Sequence, residues 1–283
     1  MPHVDADPLD KLIQNPGANS AVFYDNDAYP GRPVTLRSAC PDAYAPDCPL
    51  IFVHHGVGRN GDDYRDYWLD FAAKQNWLVV VPEFSEEHFP GPPWYNRGNL
   101  FDESGALNSA DQWTYQIDRL VFAALKAEGI TQRETYSLFG HSAGSQFVHR
   151  MLTVVGMDGV DAAAAANAGE YTLPLVDEDF PYGVRNLGVS QSHIEDYLAF
   201  PLIVMFGDRD VDNTAENFPK EPHAQRQGAT RVERAKNYFA QAKQLAERLN
   251  APFSWRLETV PGVGHEGDRM SAAAGPLLAA MVD

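Results

Sequence analysis

From residue 50 onward the chain alternates short apolar runs with longer segments of helical period. The runs LIFVHH, WLVVVPEF, ETYSLFG, DAAAAANAG, PLIVMFGD and FSWRLETV are nearly continuous in apolar character, the pattern of strands covered on both faces. Between and after them lie DDYRDYWLDFAAKQN, ADQWTYQIDRLVFAALKAEG, AGSQFVHRMLTVVG, RVERAKNYFAQAKQLAERLN and a C-terminal segment beyond Gly267, all read as helices. In the fourth, Ala235, Tyr238, Phe239, Ala242, Leu245, Ala246 and Leu249 recur at helical spacing, a stripe for core packing. Upstream, AVFYDN and VTLRSAC flank the turn-rich DAYPGRP and predict an antiparallel hairpin. The expected fold is therefore α/β: a mostly parallel sheet with an N-terminal hairpin and helices on both faces. No repeat or linker divides the chain, so residues 1–283 are expected to form one domain.

Composition narrows the function. With 283 residues and 44% hydrophobic content the chain can bury a large core. No apolar run approaches the ~18 residues of a membrane span. A formal charge of −17 and the lack of any basic run argue against nucleic acid. The N-terminal MPHVDADPLDKLIQNPG has neither a basic nor an apolar leader region, so the chain is expected to be cytoplasmic or to have lost a signal. Cys40 and Cys48 flank the turn-rich PDAYAPD. A bridge between them is the favoured reading and would suit a secreted or periplasmic protein; two free thiols are the alternative.

Candidate chemistry begins at HHGVGRNGDDYRDYW, where Gly56, Gly58 and Gly61 satisfy G-x-G-x-x-G between a strand and a helix. That is the context of a dinucleotide site, and Glu83 stands where a ribose-binding carboxylate would. Asp62 and Asp63 follow Gly61, however, and would repel the phosphates such a site holds. As loop geometry the same glycines let the backbone approach a substrate, with Asp62 free to cap the helix. The neighbouring His54 and His55 lack a third ligand and read as structural rather than metal-binding.

The segment TYSLFGHSAGSQFVHRML carries G-x-S-x-G through Gly140, Ser142 and Gly144, again between a strand and a helix. A serine at such a turn projects above the sheet near the positive end of the new helix. To act as a nucleophile it needs a base and a group to orient that base. His265, in the glycine-rich VPGVGHEGD, and Asp210, after the strand PLIVMFG, supply both in the chain order of nucleophile-elbow hydrolases. Asp208 and Asp212 crowd the same loop, and Asp212 is the alternative acid.

Through FVHHGVGRNGDDYRDYW, LFGHSAGSQF, NAGEYTLP, VMFGDRD and PFSWRLETVPGVGH, residues 34 to 283 resemble α/β-hydrolases of the serine esterase and polyester (polyhydroxyalkanoate) depolymerase type, including feruloyl-esterase-like enzymes. The resemblance implies acyl transfer by a Ser-His-Asp triad with no metal or cofactor. It also implies that the backbone N–H groups of Val57 and Ala143 hold the oxyanion. The implied partner is a small or polymeric ester. An amidase or peptidase with the same triad is the main alternative, and a non-catalytic binding module is another.

Substrate choice is expected to rest on two loops, about 83–100 and 169–197. The binding candidates are His55, Arg59, Trp94, Tyr95, Tyr171 and Tyr182; such aromatics either line a cleft or pin the loops to the core. Glu83, Glu86, Glu87, Asp177, Glu178, Asp179, Asp208 and Asp212 predict an acidic rim that disfavours anionic substrates. Arg59, Arg97 and Arg185 are the groups able to reverse it.

Overall fold

A computed structural model describes residues 6–216 and 218–282. The first five residues of the N-terminal stretch lie outside that range. The apolar runs form strands β3 (Leu50–His54), β4 (Leu78–Glu83), β5 (Tyr136–His141), β6 (Val160–Ala166), β7 (Leu202–Gly207) and β8 (Arg256–Val260), and the hairpin supplies β1 (Gly17–Phe23) and β2 (Val34–Cys40). All eight join one sheet in the order β1-β2-β4-β3-β5-β6-β7-β8. β1 pairs antiparallel with β2 and β2 antiparallel with β4; the remaining pairs are parallel.

Strand alternation divides the apolar side chains between two cores. On one face Ile51, Val53, Phe139 and Met205 pack with Tyr64, Trp68 and Ala72 of α1 (Gly61–Gln75) and with Met270, Ala274 and Leu278 of α8 (Gly267–Ala279). On the other, Phe52, Leu138, Ala165 and Val204 meet α3 (Ile117–Ala127), α4 (Ala143–Val154), α5 (Gln191–Ala199) and α7 (Arg231–Leu249). The predicted α7 stripe is core: Ala235, Tyr238, Ala242, Leu245 and Ala246 are buried, with Phe239 and Leu249 packed at the margin. All twelve residues of α4 are buried. The small side chains of β6, where Ala162 through Ala166 are fully enclosed, leave room for that helix.

Several local expectations change. The helix read from Ala110 begins at Ile117, because two 3-10 turns separated by an extended Trp113 precede it. Short helices α2 (Gly91–Trp94) and α6 (Pro222–Gln227), and the longer α5, occur in segments read as loops. In α5 the Ser190 side chain caps the first turn by accepting from the His193 backbone N–H. Asp62 does not cap α1: Asn60 holds the N-cap position, and Asp62 faces Arg37 and Arg65 in the first turn. Cys40 and Cys48 are free, buried thiols rather than a bridge. The segment between them closes two successive turns, Tyr44 onto Pro41 and Cys48 onto Ala45; burial pushes the Cys40 thiol up to about 11. The pair therefore supplies no argument about compartment. Among the described residues no helix is long and apolar enough to cross a membrane.

The two loops meet at one buried cation. Arg150 of α4 donates through Nη1 to Asn96 O at 2.9 Å, through Nε to Thr172 Oγ1 at 2.9 Å and through Nη2 to Glu170 Oε1 at 2.9 Å. Neither member of the Arg150–Glu170 pair is accessible to more than a few per cent (0% and 5% for the side chains). Burial raises the Glu170 carboxyl, and Arg150 more than offsets this, leaving it below its ordinary value. Removing one partner of such a pair strands the other, at about 3–5 kcal/mol. Arg150→Met is accordingly expected to lower unfolding free energy by roughly that amount, with Glu170→Gln added to it restoring part; urea denaturation of the two variants checks this, and a loss below about 1 kcal/mol would refute it.

Candidate active site

The C-terminal ends of β5, β6, β7 and β8 bring the site together, as expected where connections leave a parallel sheet. Ser142 stands between β5 and α4 at φ 57°, ψ −114°, a backbone region costly for a non-glycine residue. Its N–H is held by Ala166 O of β6 at 2.9 Å. The flanking glycines are required by contact: a Cβ on Gly140 would overlap the Gly144 carbonyl, and one on Gly144 would overlap the carbonyls of His54 and His55. The first turn of α4 thus rests directly on the end of β3.

From Ser142 a hydrogen-bond chain runs across the sheet. His265 Nε2 lies 2.9 Å from Ser142 Oγ, and His265 Nδ1 lies 2.7 Å from Asp210 Oδ2. Asp210 is 2% exposed, whereas the His265 side chain keeps 30% of its surface open. The three aspartates of the β7 loop have separate partners. Asp208 accepts from Gly262 N at 2.7 Å and so ties down the loop bearing His265, and Asp212 accepts from Thr214 N at 2.8 Å. Only Asp210 reaches the imidazole.

Two residues that sequence reasoning missed hold this arrangement. Asn167, at φ 54° just beyond β6, donates through Nδ2 to Asp210 Oδ2 at 2.8 Å and to Gly264 O at 2.9 Å, and accepts from Gly207 N at 3.1 Å. One amide therefore fixes both the acid loop and the histidine loop. Arg231, at the start of α7, is buried with Nη1 3.4 Å from Asp210 Oδ1. The only sequence signal was a polar residue directly after an alanine strand, and a cation at a helix start. A further pair packs behind the imidazole: His141 lies 4.7 Å from the His265 ring, centroid to centroid, and the Tyr64 hydroxyl is 2.7 Å from His141 Nδ1.

Val57 and Ala143 border the same cleft as Ser142, a space of about 520 Å³. Ala143 is the first residue of α4, so its N–H has no intrahelical acceptor. Gly56 approaches Ser142 closely: a Cβ there would lie 3.8 Å from the serine Cβ.

Comparison with solved structures places this fold among known proteins. No protein-family model matches the sequence, and no curated protein sequence matches it. The crystal structure of LpqC, a poly(3-hydroxybutyrate) depolymerase from Bordetella parapertussis, is 39% identical, covers 95% of this chain and 92% of its own, and superposes with a TM-score of 0.92. The chain belongs to the α/β-hydrolases of the esterase and depolymerase type. Poly(aspartic acid) hydrolase-1 from Sphingomonas sp. KT-1 is similar as well, at 34% identity over 93% of this chain and 98% of that one, TM-score 0.87. An S-formylglutathione hydrolase from Agrobacterium tumefaciens, 14% identical over 99% of both chains at TM-score 0.59, shares the fold. This chain is an ester-cleaving serine hydrolase.

Within this hydrolase the six binding candidates separate. Arg59 and Tyr95 border the Ser142 cleft. Arg59, at φ 56°, is committed to the 83–100 loop: it donates to Phe84 O at 2.6 Å and Gly91 O at 3.0 Å, lies 3.3 Å from Glu86 and covers the Tyr95 ring. Tyr95 is buried and donates to His55 O at 2.6 Å. His55 does not reach substrate space. Its Nε2 accepts from Phe84 N at 3.0 Å, leaving Nδ1 to donate to Gly56 O at 2.9 Å; burial holds its pKa down at about 3. It is a neutral brace beneath the Gly56–Val57 turn. Tyr171 is buried against Tyr238, and Tyr182 stacks on His223; neither borders the cleft, because the 169–197 loop turns these rings inward or sideways. Trp94 borders a different cavity.

The acidic rim is also corrected. Of its eight predicted members only Glu86 borders the cleft. Glu83 pairs with Arg37, Asp179 with Arg185, and Glu178 lies near Arg226. The charged lining is balanced, with Glu86, Glu170, Glu216 and Glu221 facing Arg59, Arg97, Lys220 and Arg231. Among the described residues no group of three or more His, Cys, Asp or Glu side chains is gathered to hold a metal.

Burial keeps three histidines neutral: His55, His141 and His149 all lie below the ordinary imidazole value. In the unfolded chain each takes up a proton near pH 6.5, so below that pH the unfolded state binds more protons and stability falls with acidification. Between about pH 6.5 and 4.5 the loss should reach up to ~1.4 kcal/mol per pH unit for each ring. Urea midpoints measured from pH 7.5 to 5 should fall steadily; midpoints that stay level would contradict neutral burial.

Proposed function

We propose that Ser142, His265 and Asp210 carry out ester hydrolysis through an acyl-enzyme. The observation that carries this reading is the continuous chain from Asp210 Oδ2 through His265 to Ser142 Oγ, with links of 2.7 and 2.9 Å, within the reach general-base catalysis needs. His265 Nε2 removes the Ser142 proton as Oγ attacks the carbonyl. The N–H groups of Val57 and Ala143 receive the oxyanion, each such donor being worth about 3 kcal/mol. Asp210 fixes the imidazole tautomer and offsets its positive charge, while Asn167 and Arg231 keep the carboxylate aligned. The same imidazole then protonates the leaving alcohol, and water reverses the sequence to free the acid. We further propose a hydroxyacid oligoester or polyester as substrate, supported by the 39% identity to a poly(3-hydroxybutyrate) depolymerase.

A second reading, amide cleavage by the same residues, has specific support in the poly(aspartic acid) hydrolase relative and in the four cationic side chains of the cleft. Matched ester and amide substrates separate the two. The ester reading requires turnover of the ester to exceed that of the amide.

Ser142→Ala should abolish ester hydrolysis and labelling by a fluorophosphonate while leaving the circular dichroism spectrum unchanged. Activity within tenfold of the parent would remove Ser142 from its role. Asp210→Asn should cost on the order of 10³-fold or more in kcat, through loss of the required tautomer, and Asp212→Asn only a few-fold. Steady-state kinetics of the pair checks this, and the reverse order would transfer the acid's role to Asp212.

A further inference from the structure

Beside the Ser142 cleft lies a second cavity of about 600 Å³ that the proposed chemistry does not use. It opens between the hairpin turn at Ala28 to Arg32, the segment following α2, and the turn at Phe180 and Pro181. Its walls are mostly apolar, with Tyr29, Trp94, Leu100, Phe101 and Phe180 as the principal surfaces. The rings of Phe101 and Phe180 stand 6.0 Å apart. Arg32 lies 3.7 Å above the Trp94 ring, and its guanidinium donates to His88 O, so it stiffens the wall.

Helix α2 is the partition between the two spaces. Gly91 and Pro92 face the Ser142 cleft, and Pro93 and Trp94 face the second cavity. One side chain borders both: Arg97. Its guanidinium carries the positive charge at the crossing from one space to the other, where a ligand spanning both would pass it.

We propose that the second cavity holds the remote segment of a neutral aliphatic oligoester whose scissile bond lies at Ser142. This rests on the esterase reading above and extends it to substrate length. Such a chain alternates apolar spans with carbonyl acceptors. The spans match the aromatic and proline walls, and one carbonyl meets Arg97 at the crossing. A polyanionic chain matches less well. Arg32 is already engaged, and Asp102 and Glu103 stand at the cavity's border.

The test compares the parent with Ala28→Trp, which obstructs the cavity, and Phe101→Ala, which removes one wall. Both positions are partly exposed, and having two variants guards against failure of either to fold. The substrates are neutral hydroxyacid oligoesters from monomer to hexamer. In the parent, kcat/KM is expected to rise at least tenfold with length; in both variants the rise should vanish while short-ester turnover stays within twofold. Calorimetric titration of the hexamer into Ser142→Ala protein, with and without Ala28→Trp, gives a readout that needs no turnover. At least tenfold weaker binding in the Ala28→Trp protein supports the assignment even if the catalytic reading fails. Unchanged length dependence and unchanged hexamer affinity in the variants overturn it, as does an oligoaspartate that binds the cavity more tightly than the oligoester.

Discussion

The structure depends on one close approach of main chain to main chain, where the first turn of α4 rests on the carbonyls that end β3. Gly144 leaves no room for a side chain there, and Gly140 leaves none against Gly144. This contact sets Ser142 at its strained φ of 57° and brings the Gly56–Val57 turn alongside it. Strain of this kind costs on the order of 1–3 kcal/mol and persists only where the surroundings over-determine it. The surroundings here are a wholly buried α4, an alanine strand that admits it, and the Arg150 anchors at its far end.

Around that contact, polar groups divide into those left free and those fully engaged. Asp210 has Asn167, Arg231 and His265 about it, and Asp208 and Asp212 have partners of their own. His55, Arg59 and Tyr95 bind one another's loops. What stays accessible is the edge of His265, 30% of whose side-chain surface is open, beside the Ser142 hydroxyl it holds.

Much of the sheet was legible in the sequence because buried parallel strands leave nearly continuous apolar runs, and because α7 carries a stripe at helical period. G-x-S-x-G and the order Ser142, Asp210, His265 were legible for a related reason: residues at strand ends are marked by the strands before them. Asn167 was not, since its importance lies in reaching two loops that are adjacent only after β6, β7 and β8 pair. The aromatic candidates divided for the same reason. Whether Trp94, Tyr95, Tyr171 or Tyr182 faces a cleft or the core depends on the path of a loop, and loop paths have no period. Helix α5 was hidden by its polar first turn, although Ser190 before it carried a capping signal. Cys40 and Cys48 showed a spacing that permits a bridge, but the two turns between them had no signature distinct from one.

Arg59 fastens the aromatic loop by grasping main-chain oxygens, Phe84 O and Gly91 O, and the loop returns the favour through the Phe84 N–H on His55. Each of these partners is backbone, indifferent to which side chain accompanies it. Provided Tyr95, which donates to His55 O, and Glu86, beside Arg59, are kept, the loop's other side chains, and with them the surface a substrate meets, can be exchanged without loosening these main-chain ties. The loop's anchoring and its outward surface are in this way largely separate properties of one segment.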